Sequence, residues 1–303
     1  MQTKAQSTIE YLATYGWAIL IIAVVLVGFF YSGLFSNLQP KAPAGLCIVS
    51  RPDGPGTTKF LSFIGPCPKE PPLFVATFNP AGNNGIENSI VGNITVKGVN
   101  FMPDVSPNGR FTIAGWMYIS SISSHIQTAF LYGEANSLAS SASLMINQSA
   151  TSTCKGAIFA YVFANSICLF SNAAPTGSWV FVAIVYNGSG ITTYTGLPGT
   201  ANLSVINLQT AASGDIPAHS PMIIGSNWNG TISNVQLYNN SLPKGDIQDI
   251  YIGGIGGPPI DAQWLAGWWP LNGNANDYGG NGNNGAVFNS SFGPGAWATY
   301  SNP

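Results

Sequence analysis

The chain has 303 residues, a formal net charge of −2, 7% charged and 46% hydrophobic residues. That apolar content excludes a disordered chain, and nine basic residues over this length exclude a nucleic-acid partner, because they cannot neutralise a run of phosphates. Twenty-eight asparagines take the place of charge, so the surface stays wet through neutral hydrogen bonds.

Between Tyr11 and Pro40 no residue is charged. Leu12 to Phe35, centred on Trp17 to Phe30, is long enough to cross a hydrocarbon core of about 30 Å as one helix. Lys4 is the only base before it and none follows until Lys41, which places the N-terminus inside and the remainder outside. A cleaved secretory signal fits poorly, since the run is long and no small-x-small site follows it. Glu10 stands at the start of this apolar segment, where a carboxylate is costly unless it is paired or lies near headgroups.

The stretch Lys4-Ala5-Gln6-Ser7-Thr8-Ile9-Glu10-Tyr11-Leu12, continuing to Leu20, resembles the class III signal peptide of archaeal type IV pilin-like proteins. The resemblance implies cleavage between Ala5 and Gln6, with the helix retained and Glu10 as the fifth residue of the mature chain. It also implies that Glu10 serves assembly, by pairing with a neighbouring subunit's N-terminal amine in a filament core. The expected organisation is a leader over 1–5, a pilin-like transmembrane helix over 6–35, a proline-bearing stalk and disulfide loop over 36–72, and a β-domain over 73–303.

Four cysteines follow the helix, and an even count outside the membrane reads as two disulfides. Proximity along the chain pairs Cys47 with Cys67 and Cys154 with Cys168. A zinc site is the rival, but neither pair has metal-ligand spacing. Seven Asn-x-Ser/Thr sequons, from Asn93 to Asn289, are candidate glycosylation sites.

From Leu73 onward, short β-rich runs alternate with Gly, Asn, Pro and Ser, which predicts a mainly β, antiparallel sandwich. One short helix is expected after Pro243, with Ile247, Ile250 and Tyr251 on one face. Phe111–Tyr118, Trp179–Gly188, Ile223–Gly225 and Asn229–Asn239 resemble the core strands of the laminin G-like, concanavalin A-like jelly-roll family. The segment Leu265–Tyr278 resembles that family's opening strand, yet it follows the closing one. A circular permutation, an added edge strand, or a strand given to a neighbouring molecule would each account for it.

Glycan hydrolysis needs two carboxylates about 5–5.5 or 6.5–9.5 Å apart. Of the acidic residues only Asp246 and Asp249 are close in sequence, and they favour a helix N-terminus more simply. With two distant histidines as well, no catalysis is expected. Trp228, Trp264 and Trp297 are candidate sugar-stacking rings, whereas Trp116 and Trp179 are expected inside. Of the adjacent pair Trp268 and Trp269, one ring should turn to each face of a strand. No cofactor is required, but Asn274, Asp277 and Asn281 in one Asn- and Gly-rich turn are candidate calcium ligands, and the family resemblance points to the same aspartate.

The sequence therefore leads to a single-pass protein of the cell surface, structural or adhesive, as a pilin-like subunit or anchored adhesin. Its head would contact glycans or other surface ligands. A monomeric membrane-tethered carbohydrate receptor is the alternative, with a tethered glycoside hydrolase behind it.

Overall fold

The computed structural model describes residues 19–22, 46–49, 63–66, 71–78 and 92–303, apart from breaks at 106–108, 123–124, 147–153, 155–157, 171–174, 201, 209–213, 296, 298–299 and 301–302. The chain divides into two compact units, Met1–Pro43 and Ala44–Pro303. In the first, residues 19–22 are helical with exposed side chains. Ala5, Gln6, Glu10 and the rest of the expected spanning segment lie outside the described residues. Among the described residues no helix is long and apolar enough to cross a membrane.

The second unit opens with a two-stranded antiparallel sheet, β1 (Leu46–Val49) against β2 (Phe63–Pro66). Cys47 lies on β1, but Cys67 is outside the described residues, and the expected Cys47–Cys67 pairing with it.

Two large antiparallel sheets then stack as a sandwich. The first runs in the order β12 (Ser204–Leu208), β11 (Ile191–Gly196), β10 (Trp179–Tyr186), β5 (Phe111–Ile119), β14 (Gly230–Tyr238), β3 (Val75–Phe78), β17 (Ser291–Gly293). The second runs β16 (Ala286–Phe288), β4 (Asn93–Val96), β13 (Met222–Ile224), β6 (Gln127–Gly133), β7 (Ser141–Ile146), β8 (Ile158–Val162), β9 (Asn165–Cys168).

Strand β10, Trp-Val-Phe-Val-Ala-Ile-Val-Tyr, shows why the two sheets differ. All eight residues are buried, as expected of a continuous apolar run covered on both faces. Val180, Val182, Ile184 and Tyr186 point into the core between the sheets. Trp179, Phe181, Ala183 and Val185 point the other way, into a second core on the outer face of the first sheet. The cover of that face includes α1 (Lys244–Gly253), which buries Ile247, Ile250 and Tyr251. The outer face of the second sheet is covered unevenly: Leu131 of β6 and Ser143 of β7 are buried there, but the residues of β8 are not. In β8, Ile158, Ala160 and Val162 are buried while Phe159 and Tyr161 alternate with them and stay half-exposed.

The out-of-order segment Leu265–Tyr278 begins with β15 (Leu265–Trp269), which pairs in cis with Val235–Tyr238 of β14. The other half of that flank, Gly230–Ile232, pairs with β3. Strand β14 can serve two neighbours because it bulges between Ser233 and Gln236, with Asn234 in the left-handed region at φ 51°. Trp269 enters the inter-sheet core and Trp268 the outer one, so the adjacent rings face opposite ways as expected. A disulfide joins Cys154 to Cys168, with Cα atoms 5.7 Å apart. It fastens the segment before β8 to the edge strand β9 and removes these two cysteines from any zinc site.

Candidate functional site

The candidate stacking tryptophans do not form one surface. Trp228 is fully buried in the inter-sheet core, with its indole Nε1 donating to the Tyr118 carbonyl at 3.3 Å. That corrects the expectation for Trp228: the turn around Gly225 and Asn227 folds its ring inward, and no face is left for a sugar. Trp297 lies flat on Trp179, with centroids 5.6 Å apart and planes 8° apart. Trp264 is 40% exposed, in the single 3-10 turn before β15.

The Asn-rich turn is organised as a clasp on β15. Asp277 Oδ1 accepts the backbone N–H groups of Trp268 at 3.0 Å and Gly279 at 2.7 Å, and Oδ2 accepts that of Asn283 at 2.9 Å. Asn281 Nδ2 donates to the carbonyls of Leu265 and Ala266 at 2.8 and 3.1 Å. Asn274 Oδ1 accepts from Asn276 N, and its Nδ2 donates to the Tyr278 hydroxyl. Both oxygens of the turn's single carboxylate thus face N–H donors that a cation would have to displace. This donor set does not fit calcium. Among the described residues, no three or more His, Cys, Asp or Glu side chains gather into a metal-binding group.

The acidic pair also differs from the expected one. Asp246, in the first turn of α1, forms a side-chain hydrogen bond with Asp261 rather than with its helix neighbour Asp249. Its pKa is pushed up to about 6, first by desolvation, then by the Asp261 hydrogen bond and charge, then by the Asp249 charge. The carboxyls of Asp246 and Asp261 are in hydrogen-bond contact. They lie closer than either glycosidase spacing allows.

The geometry suited to a ligand lies on the outer face of the second sheet. Strand register sets two rows of side chains there. Ile223, Leu131, Ser143 and Tyr161 form one, and Thr128, Met145, Phe159 and Cys168 the other. Where they meet is a depression of about 360 Å³, whose lining includes Thr128, Leu131, Met145, Tyr161, Ile223 and Ser226. The Tyr161 and Phe159 rings are neighbours, with centroids 5.8 Å apart and planes tilted by 40°. Within the first row the Ser143 hydroxyl is buried with no hydrogen-bond partner among the described residues. The sequence carried a signal for this pair: two aromatics at the parity opposite to Ile158, Ala160 and Val162.

A family model described as the concanavalin A-like lectin/glucanases superfamily matches residues 93–248, just over half of the chain. Among solved structures, the chain is similar to the enzymatically active domain of tailspike protein 2 from bacteriophage CBA120 (13% identity, TM-score 0.44, covering 71% of this chain and 34% of that one). It is also similar to domain 4 of an extracellular arabinanase from Geobacillus stearothermophilus in complex with arabinotriose (16%, TM-score 0.35, 58% and 86%). Domains LG4-5 of the mouse laminin alpha1 chain are a third (14%, TM-score 0.30, 51% and 43%). The chain spans about a third of the length of the tailspike structures it matches. No curated protein matches it. On the family match and the two-sheet architecture, the chain belongs to the concanavalin A-like lectin/glucanase superfamily.

Proposed function

We propose that this chain is a membrane-anchored surface protein whose sandwich head binds saccharide in the depression on the second sheet, without catalysis. The observation that carries the reading is the Phe159–Tyr161 pair, two partly exposed rings on the outer face of the second sheet. A pyranose presents C–H groups on one face, which suit an aromatic ring, and hydroxyls at its rim. Thr128 and Ser226 supply hydroxyl partners for that rim beside an apolar floor. Among the described residues the lining carries no carboxylate to protonate or attack a glycosidic bond. The anchoring half of the reading rests on the apolar run from Leu12 to Phe35 and on the leader-like stretch before it. In the same reading Glu10 stabilises a pilin-type filament through its packed helices.

The head is tested by a glycan array and calorimetry on the full chain beside Tyr161→Ala and Phe159→Ala. Removing either ring is expected to weaken the best glycan about tenfold or more, roughly 1.4 kcal/mol, with unchanged folding. Binding that is equally tight in both variants contradicts the assignment.

A further inference from the structure

The covered face of the first sheet carries a second aromatic surface. Trp116 and Tyr118 of β5 share a parity, as do Trp179 and Phe181 of β10, and the register sets Trp179 opposite Tyr118 and Phe181 opposite Trp116. The four rings make a two-by-two array, with centroids 5.8 Å apart in the first pair and 5.5 Å in the second. Half of it is roofed by α1, whose Tyr251 stacks on Trp116 and has its hydroxyl within hydrogen-bonding reach of the Leu197 and Thr200 carbonyls. The other half is roofed from the C-terminus. Trp297 lies on Trp179 at 8°, and Tyr300 meets Trp116 edge-on at 81° while its hydroxyl accepts from Ile255 N at 2.8 Å. These two capping rings are themselves half-exposed, although Trp116 and Trp179 beneath them are fully buried.

One buried group is out of keeping with a purely structural roof. Three other deeply buried indoles, those of Trp228, Trp268 and Trp269, donate their Nε1 hydrogens to the Tyr118 carbonyl, Asn234 Oδ1 and the Asn283 carbonyl. Trp116 Nε1 is buried with no acceptor among the described residues. An unmade hydrogen bond of this kind is costly in a buried site, and a hydroxyl-rich ligand would supply the acceptor.

We infer that Trp116, Tyr118 and Trp179 form a second, latent saccharide site, held shut by Trp297 and Tyr300. Trp297 occupies Trp179 as a pyranose ring would, ring face on ring face. A linear oligosaccharide that displaces the caps gains the Trp179–Tyr118 pair as a platform and a donor in Trp116.

The experiment uses the full chain in a Tyr161→Ala background, so that the depression contributes less, with maltoheptaose and xylohexaose as probes. Trp297→Ala should bind at least one of them about tenfold more tightly than the background, read by calorimetry and by tryptophan fluorescence. Adding Tyr118→Ala should abolish the gain. Tyr300→Phe keeps the ring but removes the acceptor for Ile255 N, and should give a smaller gain; it decides the matter if Trp297→Ala does not fold. Folded variants that bind neither sugar better than the background, or a gain that survives Tyr118→Ala, would overturn the inference.

Discussion

At the scale of the residue, Asp246 shows how a contact absent from the sequence pattern sets a measurable property. Asp246 and Asp249 are neighbours in sequence, yet Asp261 is the side chain that meets Asp246. That contact depends on Asp261 adopting a left-handed conformation, φ 46° and ψ 52°, ahead of a single 3-10 turn. No periodicity signals such a turn. Because the folded pKa of Asp246 is raised to about 6 from 3.8, the folded state holds this proton more tightly than the unfolded state. The sign follows: the pair favours folding below pH 4, and that contribution is lost as pH rises from 4 to 6. Asp246→Asn removes the charge, so its stability relative to the parent should rise across that window and level off above it. Discounted for the partial exposure of the group, the gain is about 1 kcal/mol, or roughly 2–4 °C in Tm. Thermal unfolding of both proteins between pH 4 and 8 checks this, and a difference that does not vary with pH contradicts it. Trp228 was illegible for a similar reason. Its Gly- and Asn-rich surroundings read as an exposed turn, but the turn tucks the ring under β5.

The elements were more legible, because their signals are repetitive. Strand β10 reads as a run with no polar position, which only a strand covered on both faces sustains. The helix after Pro243 reads from three apolar positions on one face. The second sheet's outer face was legible in the parity of Phe159 and Tyr161, a signal carried by no tryptophan. The bulge in β14 had no signal, since Asn234 resembles the other asparagines of the chain. Its amide nevertheless ties three elements together. Oδ1 accepts from Trp268 Nε1 at 2.7 Å and from Gln236 Nε2 at 3.0 Å, and Nδ2 donates to the Gly257 carbonyl at 2.8 Å. Asn234→Ala would strand two buried donors and place alanine at a left-handed position. A loss of about 3 kcal/mol in urea unfolding is expected. A loss under about 1 kcal/mol would mean that the bulge is held by β3 and β15 alone.

At the scale of the whole molecule, the Asn-rich turn explains how a strand motif placed after the closing strand is used. The turn clasps β15 through Asp277 and Asn281 onto the flank of β14 that β3 leaves free, so the sandwich is completed in cis. The proposed binding face thus sits on a sandwich closed by its own strands, compatible with display along a filament or singly on a membrane. Surface material sheared from cells separates the two. The filament reading expects pelletable polymers of this chain whose N-terminus is Gln6. Detergent-soluble monomers beginning at Met1 would leave the chain as a tethered receptor and remove the assembly role of Glu10. The central claim remains the sugar-binding face. Its most direct measurement is a high-resolution structure of the full chain with the tightest glycan found on the array. Sugar density stacked on Tyr161 and Phe159, with hydroxyls turned toward Thr128 and Ser226, is the predicted result. Density at Trp264 or the Asp277 turn, with the second sheet's face empty, would contradict it.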